Sequence, residues 1–210
     1  MFPLGSVSRS ITGFPFVTVL IIAATAGVFY LELERGDPFV LRWSVIPAKI
    51  MAGRTLETLI TSAFLHGGWL HIIGNMVFFW AFAPPMEEAM GSVRFVIFYL
   101  LGAAVAMAAH VAGDPTSTLP ALGASGAVAA VMGAFLVTYP RDSIRTLILM
   151  PPVVRMVYIP AIVLIGLWIV LQVVSVSMQT TEAAAGGGIA YLAHIGGAIF
   201  GAVTGRLFLR

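Results

Sequence analysis

The chain has 210 residues, of which 60% are hydrophobic and 10% charged, and its mean hydropathy is +1.01. Too little polar surface remains to cover so large an apolar fraction, so an ordinary soluble domain is excluded and lipid is the expected solvent for most of the chain. A formal charge of +2 with 11 scattered basic residues argues against nucleic acid as a partner. The lack of cysteine excludes disulfides, a thiolate nucleophile and a thiolate metal site.

About 20 apolar residues of helix are needed to cross a bilayer core of about 30 Å. Six runs meet this criterion roughly: Phe14 to Leu31, Leu59 to Phe82, Phe95 to Val111, Ala121 to Tyr139, Val157 to Met178 and Gly187 to Phe208. Turn chemistry or charge divides them at Gly36-Asp37-Pro38, Pro84-Pro85, Asp114-Pro115, Pro140-Arg141-Asp142 and Thr180-Thr181-Glu182. The expected fold class is an all-α integral membrane protein with six spans, and the first run reads as a retained helix rather than a cleaved signal. Between the first two runs, about Glu32 to Glu57, the polar stretch still contains Phe39, Val40, Leu41, Trp43, Val45 and Ile46. It is expected to form a structured element at the outer interface, anchored by Arg and Trp.

Arg9, Arg94, Arg141, Arg145, Arg155, Arg206 and Arg210 share one side if the N-terminus is inside, and the short second and third outer loops hold no basic residue. Both termini are therefore expected in the cytoplasm. Helices two, four and six then run from outside to inside.

Polar groups in such runs are costly and mark function or interhelical contact. They are His66, His71, Asn75, Ser125 and His194. His71 and Asn75, four apart, share a helix face. Ser125 lies in Gly123-Ala124-Ser125-Gly126 at the start of helix four, and His194 sits near the start of helix six. All fall in the outer half of the bilayer under the orientation above. Helix six carries the stripe His194, Gly197, Gly201, and helix four the stripe Ser125, Ala129, Gly133. Small stripes let two helices approach backbone to backbone, which would bring hydroxyl and imidazole into the arrangement of a nucleophile and its base. Asn75, His71 and the Ser125 amide are candidate oxyanion donors, and the glycines around Ser125, Gly123 among them, permit close approach of substrate. Each residue also has a structural alternative: Ser125 as a helix cap, His194 as a packing histidine, Asn75 and His71 as interhelical glue. His66 is assigned to fixing the first loop, Glu87 to structure, and His110 to the interface. No metal-ligand cluster or phosphate loop is expected, and no cofactor.

From helix one to the C-terminus the chain resembles the rhomboid intramembrane serine proteases in their minimal six-helix form, a single domain over residues 1–210. The motifs carrying the resemblance are His66-Gly67-Gly68-Trp69-Leu70-His71-Ile72-Ile73-Gly74-Asn75, Gly123-Ala124-Ser125-Gly126, and Ala193-His194-Ile195-Gly196-Gly197 with Gly201. The resemblance implies Ser125 as nucleophile, His194 as general base, Asn75 and His71 in the oxyanion hole, a dyad without an acidic third member, and transmembrane segments of other proteins as substrates. It also implies lateral access, with helix five and the loop after Met178 as the mobile part. Two positions depart from the family. Glu57 and Thr58 stand where a Trp-Arg pair is common, with Arg54 or Arg42-Trp43 as possible substitutes. Ala129 replaces an aromatic that commonly stacks on the histidine, a role expected to pass to Tyr191 or Trp168. The competing reading is a catalytically silent relative that binds membrane helices. The expected location is a prokaryotic cytoplasmic membrane, and the sequence leaves oligomeric state open.

Overall fold

The computed structural model describes residues 1–7, 12–150, 153–178 and 190–210. Its helices are α1 (Phe16–Arg35), the short α2 (Asp37–Trp43), α3 (Pro47–Met51) and α4 (Thr58–Thr61), then α5 (Trp69–Met90), α6 (Ser92–Gly113), α7 (Ser125–Thr138), α8 (Ala161–Met178) and α9 (Tyr191–Thr204). The six longer helices fall in the six apolar runs. By length and hydropathy, two of them among the described residues, α1 and α6, are long and apolar enough to cross a membrane. The six-span expectation is thus met only in part. At 14 residues, α7 and α9 each rise about 21 Å, less than a bilayer core.

The all-α expectation is corrected. Strands β1 (Phe2–Ser6), β2 (Ser143–Met150) and β3 (Val153–Pro160) form a three-stranded sheet in the order β1-β2-β3. The β2–β3 pair is an antiparallel hairpin running from Ser143↔Pro160 to Met150↔Val153, and β1 joins the free edge of β2 antiparallel. Helix five therefore begins at Ala161 rather than Val157. The β-branched Val154, Val157 and Ile159 suit a pleated strand, and apolarity alone does not separate strand from helix. Ile144 and Thr146 of β2 are buried, and Leu4, Gly5 and Ser6 of β1 lie against Trp80, Ala81, Pro84 and Pro85 of α5.

Other boundaries also move. Pro84-Pro85, expected as a break, sits inside α5, which continues to Met90 and ends at Gly91, whose φ of 78° few other residues adopt. The same helix starts at Trp69 instead of Leu59, after the turn His66-Gly67-Gly68. Helix four starts at Ser125 rather than Ala121. Residues 179–189, which hold the loop after Met178 and the start of the sixth apolar run, lie outside the described residues.

The core between α5, α6 and α7 is aromatic: Phe79, Phe82, Phe95, Phe98, Tyr99 and Phe135 are fully buried, and Phe82 meets Phe135 edge to face at 5.2 Å. At the Gly91 end, the buried Glu87 carboxylate accepts the N–H groups of Val17 (2.8 Å) and Thr18 (2.7 Å) and the hydroxyls of Thr18 and Ser92. The two N–H groups are unpaired first-turn donors of α1, and a carboxylate suits the positive end of a helix dipole. The structural assignment of Glu87 agrees with this contact set.

Candidate active site

The stretch between α1 and α4 holds α2 and α3. Val45 and Ala121 exchange both backbone hydrogen bonds (2.9 and 2.8 Å), Ala48 N–H donates to the Ser117 carbonyl, and Gly123 N–H donates to the Ser62 carbonyl at 2.9 Å. These bonds seat the first loop on the segment that leads into Ser125. The Arg42 guanidinium lies over the Trp43 ring at 5.0 Å and pairs with Glu57 at 3.3 Å. Glu57, at the departure from the common Trp-Arg, is thus tied to α2.

Behind this segment α7 and α9 meet with almost no side chain between them. A Cβ on Gly197 would overlap the Gly126 carbonyl, one on Gly201 the Ala130 carbonyl, and one on Gly133 the Ala198 carbonyl. On α9 the seam runs through Gly197 and Gly201 of the expected stripe, while on α7 it runs through Gly126, Ala130 and Gly133, the neighbouring small residues rather than Ala129. At the end of this seam the Ser125 hydroxyl lies 2.7 Å from His194 Nε2. His194 is buried and Ser125 half-buried.

Residue 123 has no side chain for a spatial reason. Its φ is 125°, and a Cβ there would sit 2.8 and 2.9 Å from Cε1 and Nε2 of His71 and 3.7 Å from Ser125 Oγ. The His71 ring therefore stands beside the serine. Gly67 N–H donates to His71 Nδ1 at 3.4 Å, which leaves the proton of the neutral ring on Nε2, the nitrogen facing Gly123. Asn75 is buried and donates one amide N–H to the His71 carbonyl at 3.1 Å; the amide has a second N–H to offer. The Gly123 N–H is occupied by Ser62, so this glycine contributes space and not a donor.

Sequence reasoning placed His66 as a hydrogen-bonding anchor. Its backbone N–H does bond the Glu32 carboxylate (3.0 Å), but its buried ring packs edge-on against His71 at 5.0 Å and makes no side-chain hydrogen bond. His194 is flanked by Trp168 (centroids 5.5 Å apart) and Tyr191 (6.3 Å), the two aromatics expected to stand in for the one that Ala129 replaces. A third neighbour was missed: Gln172 of α8 places Oε1 2.7 Å from His194 Nδ1. Its signal was available, as an amide in the otherwise apolar run Leu164 to Val174. No group of three or more His, Asp or Glu side chains able to hold a metal ion occurs among the described residues.

A family model for the rhomboid domain matches residues 53–210. The mitochondrial RHOMBOID-like protein 12 of Arabidopsis thaliana is 28% identical over 205 residues, 90% of this chain and 57% of that protein. Rhomboid protease GluP of Bacillus subtilis is 31% identical over 59% of the chain and 25% of its own length. Rhomboid protease GlpG of Pectobacterium atrosepticum is 29% identical over 42% and 32% respectively. The chain thus spans between a quarter and somewhat over half of the length of these relatives. The prokaryotic location expected from the sequence draws no support from the mitochondrial relative.

Proposed function

The chain belongs to the rhomboid family, and we propose that it is an intramembrane serine endopeptidase that cuts peptide bonds in or near the transmembrane segments of other proteins. The observation that carries the reading is the 2.7 Å contact between Ser125 Oγ and His194 Nε2, with the His71 ring alongside. Family membership makes the protein an integral membrane protein. We assign the six longer helices to six crossings, with both termini cytoplasmic and the site in the outer half of the bilayer.

In this mechanism His194 Nε2 takes the Ser125 proton while Oγ bonds to the scissile carbonyl carbon. Negative charge passes to the carbonyl oxygen, where His71 Nε2–H, the free Asn75 N–H and the Ser125 backbone N–H are the donors. The C–N bond then breaks as the imidazolium returns its proton to the leaving amine. Water, activated by the same imidazole, hydrolyses the acyl-enzyme. Because a peptide bond in an intact helix has its carbonyl hydrogen-bonded, the substrate must unwind locally, which favours small or helix-breaking residues near the cut.

The test is fluorophosphonate labelling of purified protein together with cleavage of a single-pass membrane protein. Wild type is expected to label and cleave, while Ser125→Ala and His194→Ala do neither and keep the wild-type melting temperature. A folded wild-type protein that neither labels nor cleaves would overturn the reading.

A further inference from the structure

Ala161–Met178 is almost wholly apolar, and Ile162, Val163, Leu167, Val170, Leu171, Val173 and Val174 are exposed on the bundle surface. Gln172 is the one amide in this helix. An amide in such surroundings is costly unless its hydrogen bonds are made, and here they are. Gln172 Nε2 donates to the Trp168 carbonyl one turn earlier at 3.4 Å, while Oε1 lies 2.7 Å from His194 Nδ1.

The first bond fixes the sense of the amide. With the nitrogen turned to a carbonyl, the oxygen faces the imidazole and acts as acceptor, so Nδ1 must carry the ring proton. The other ring nitrogen then presents its lone pair to the Ser125 hydroxyl at 2.7 Å. The opposite tautomer would set an acceptor against the amide oxygen, losing that bond, and would turn an Nε2–H toward the serine oxygen, so that Nε2 could no longer take the Ser125 proton. Orientation of the imidazole by an acceptor behind it is the role an aspartate plays in a serine triad. A neutral acceptor does this without the desolvation cost of a buried carboxylate.

Resting on the protease reading above, we propose that Gln172 is the positioning residue of His194, a neutral third member that holds the base in its active tautomer from a helix other than its own. It touches neither substrate nor the reacting atoms. Its effect falls on turnover and not on substrate binding.

The experiment compares wild type with Gln172→Met, Gln172→Glu and Gln172→Ala, measuring kcat, KM, fluorophosphonate labelling rate and melting temperature, with Ser125→Ala as the control for the reading beneath. Met keeps length and packing but removes the acceptor, so kcat and labelling rate are expected to fall by roughly 10- to 100-fold with KM and melting temperature unchanged. Glu restores an acceptor of the same length and is expected to bring kcat back to within about threefold of wild type. Wild-type kcat in Gln172→Met, with Ser125→Ala dead, overturns the proposal and leaves the protease reading standing. So does an equal loss in Met and Glu variants that tracks a lowered melting temperature. Labelling that survives Ser125→Ala would instead overturn the protease reading.

Discussion

Two polar centres lie at opposite ends of the same bundle, and they are built on different terms. At the Gly91 end, Glu87 is buried and its two oxygens accept two backbone N–H groups and two hydroxyls from α1 and the start of α6. At the other end, Ser125 is half-buried, His71 exposed, and Asn75 has one amide N–H committed to a carbonyl of its own helix. A carboxylate surrounded by donors has no capacity left for a substrate and ties one helix to another. A hydroxyl whose proton faces a neutral imidazole, beside side chains with N–H groups to spare, has chemistry left to do. Both centres are polar groups in an apolar bundle, and hydrogen-bond saturation is what tells structure from reactivity.

Four substitutions sharpen or break that contrast. The largest effect is expected from Gly201→Val. The added side chain meets the Ala130 backbone carbonyl, which cannot move aside as a side chain would, so the loss should exceed the ~1–3 kcal/mol of ordinary overpacking. Folded yield and labelling should both collapse, because α7 and α9 carry the two halves of the site. Glu87→Ala should lower stability by about 3 kcal/mol in a denaturant titration, since it strands buried N–H donors. Activity per folded molecule should be retained; a kinetic loss without a stability loss would break the contrast. Asn75→Ala should show the reverse, on the order of 100-fold in kcat with little change in melting temperature. Arg42→Ala comes last. Its bridge to Glu57 joins side chains that are 56% and 48% exposed, so less than about 1 kcal/mol is expected.

Much of the site was legible because the background is so apolar. Among six hydrophobic runs, a serine, an asparagine and three histidines stood out, and the spacing of small residues around them showed which helix faces touch. Gln172 stands out against the same background, but a lone amide on an apolar helix reads equally well as interhelical glue, and only its 2.7 Å contact with His194 assigns it. The strand pairs were hidden for a different reason. Only Val157 to Pro160 of the sheet falls in an apolar run, the rest carries Arg145 and Arg155, and a hydropathy count does not see pleat or register. Pro84-Pro85 misled in the opposite direction: proline removes local donors, yet α5 passes through both where β1 packs against it.

The sequence by itself determined the solvent, the helical runs and the chemical types gathered at one end of the bundle, since these follow from side-chain polarity and from spacing along one helix. Only the tertiary structure decided that Ser125 and His194 stand 2.7 Å apart and that an amide rather than an acid backs the imidazole. Such contacts join segments 69 and 22 residues apart. Their distances are set by how closely α7, α8 and α9 pack, which is a property of facing surfaces and not of any one stretch of chain.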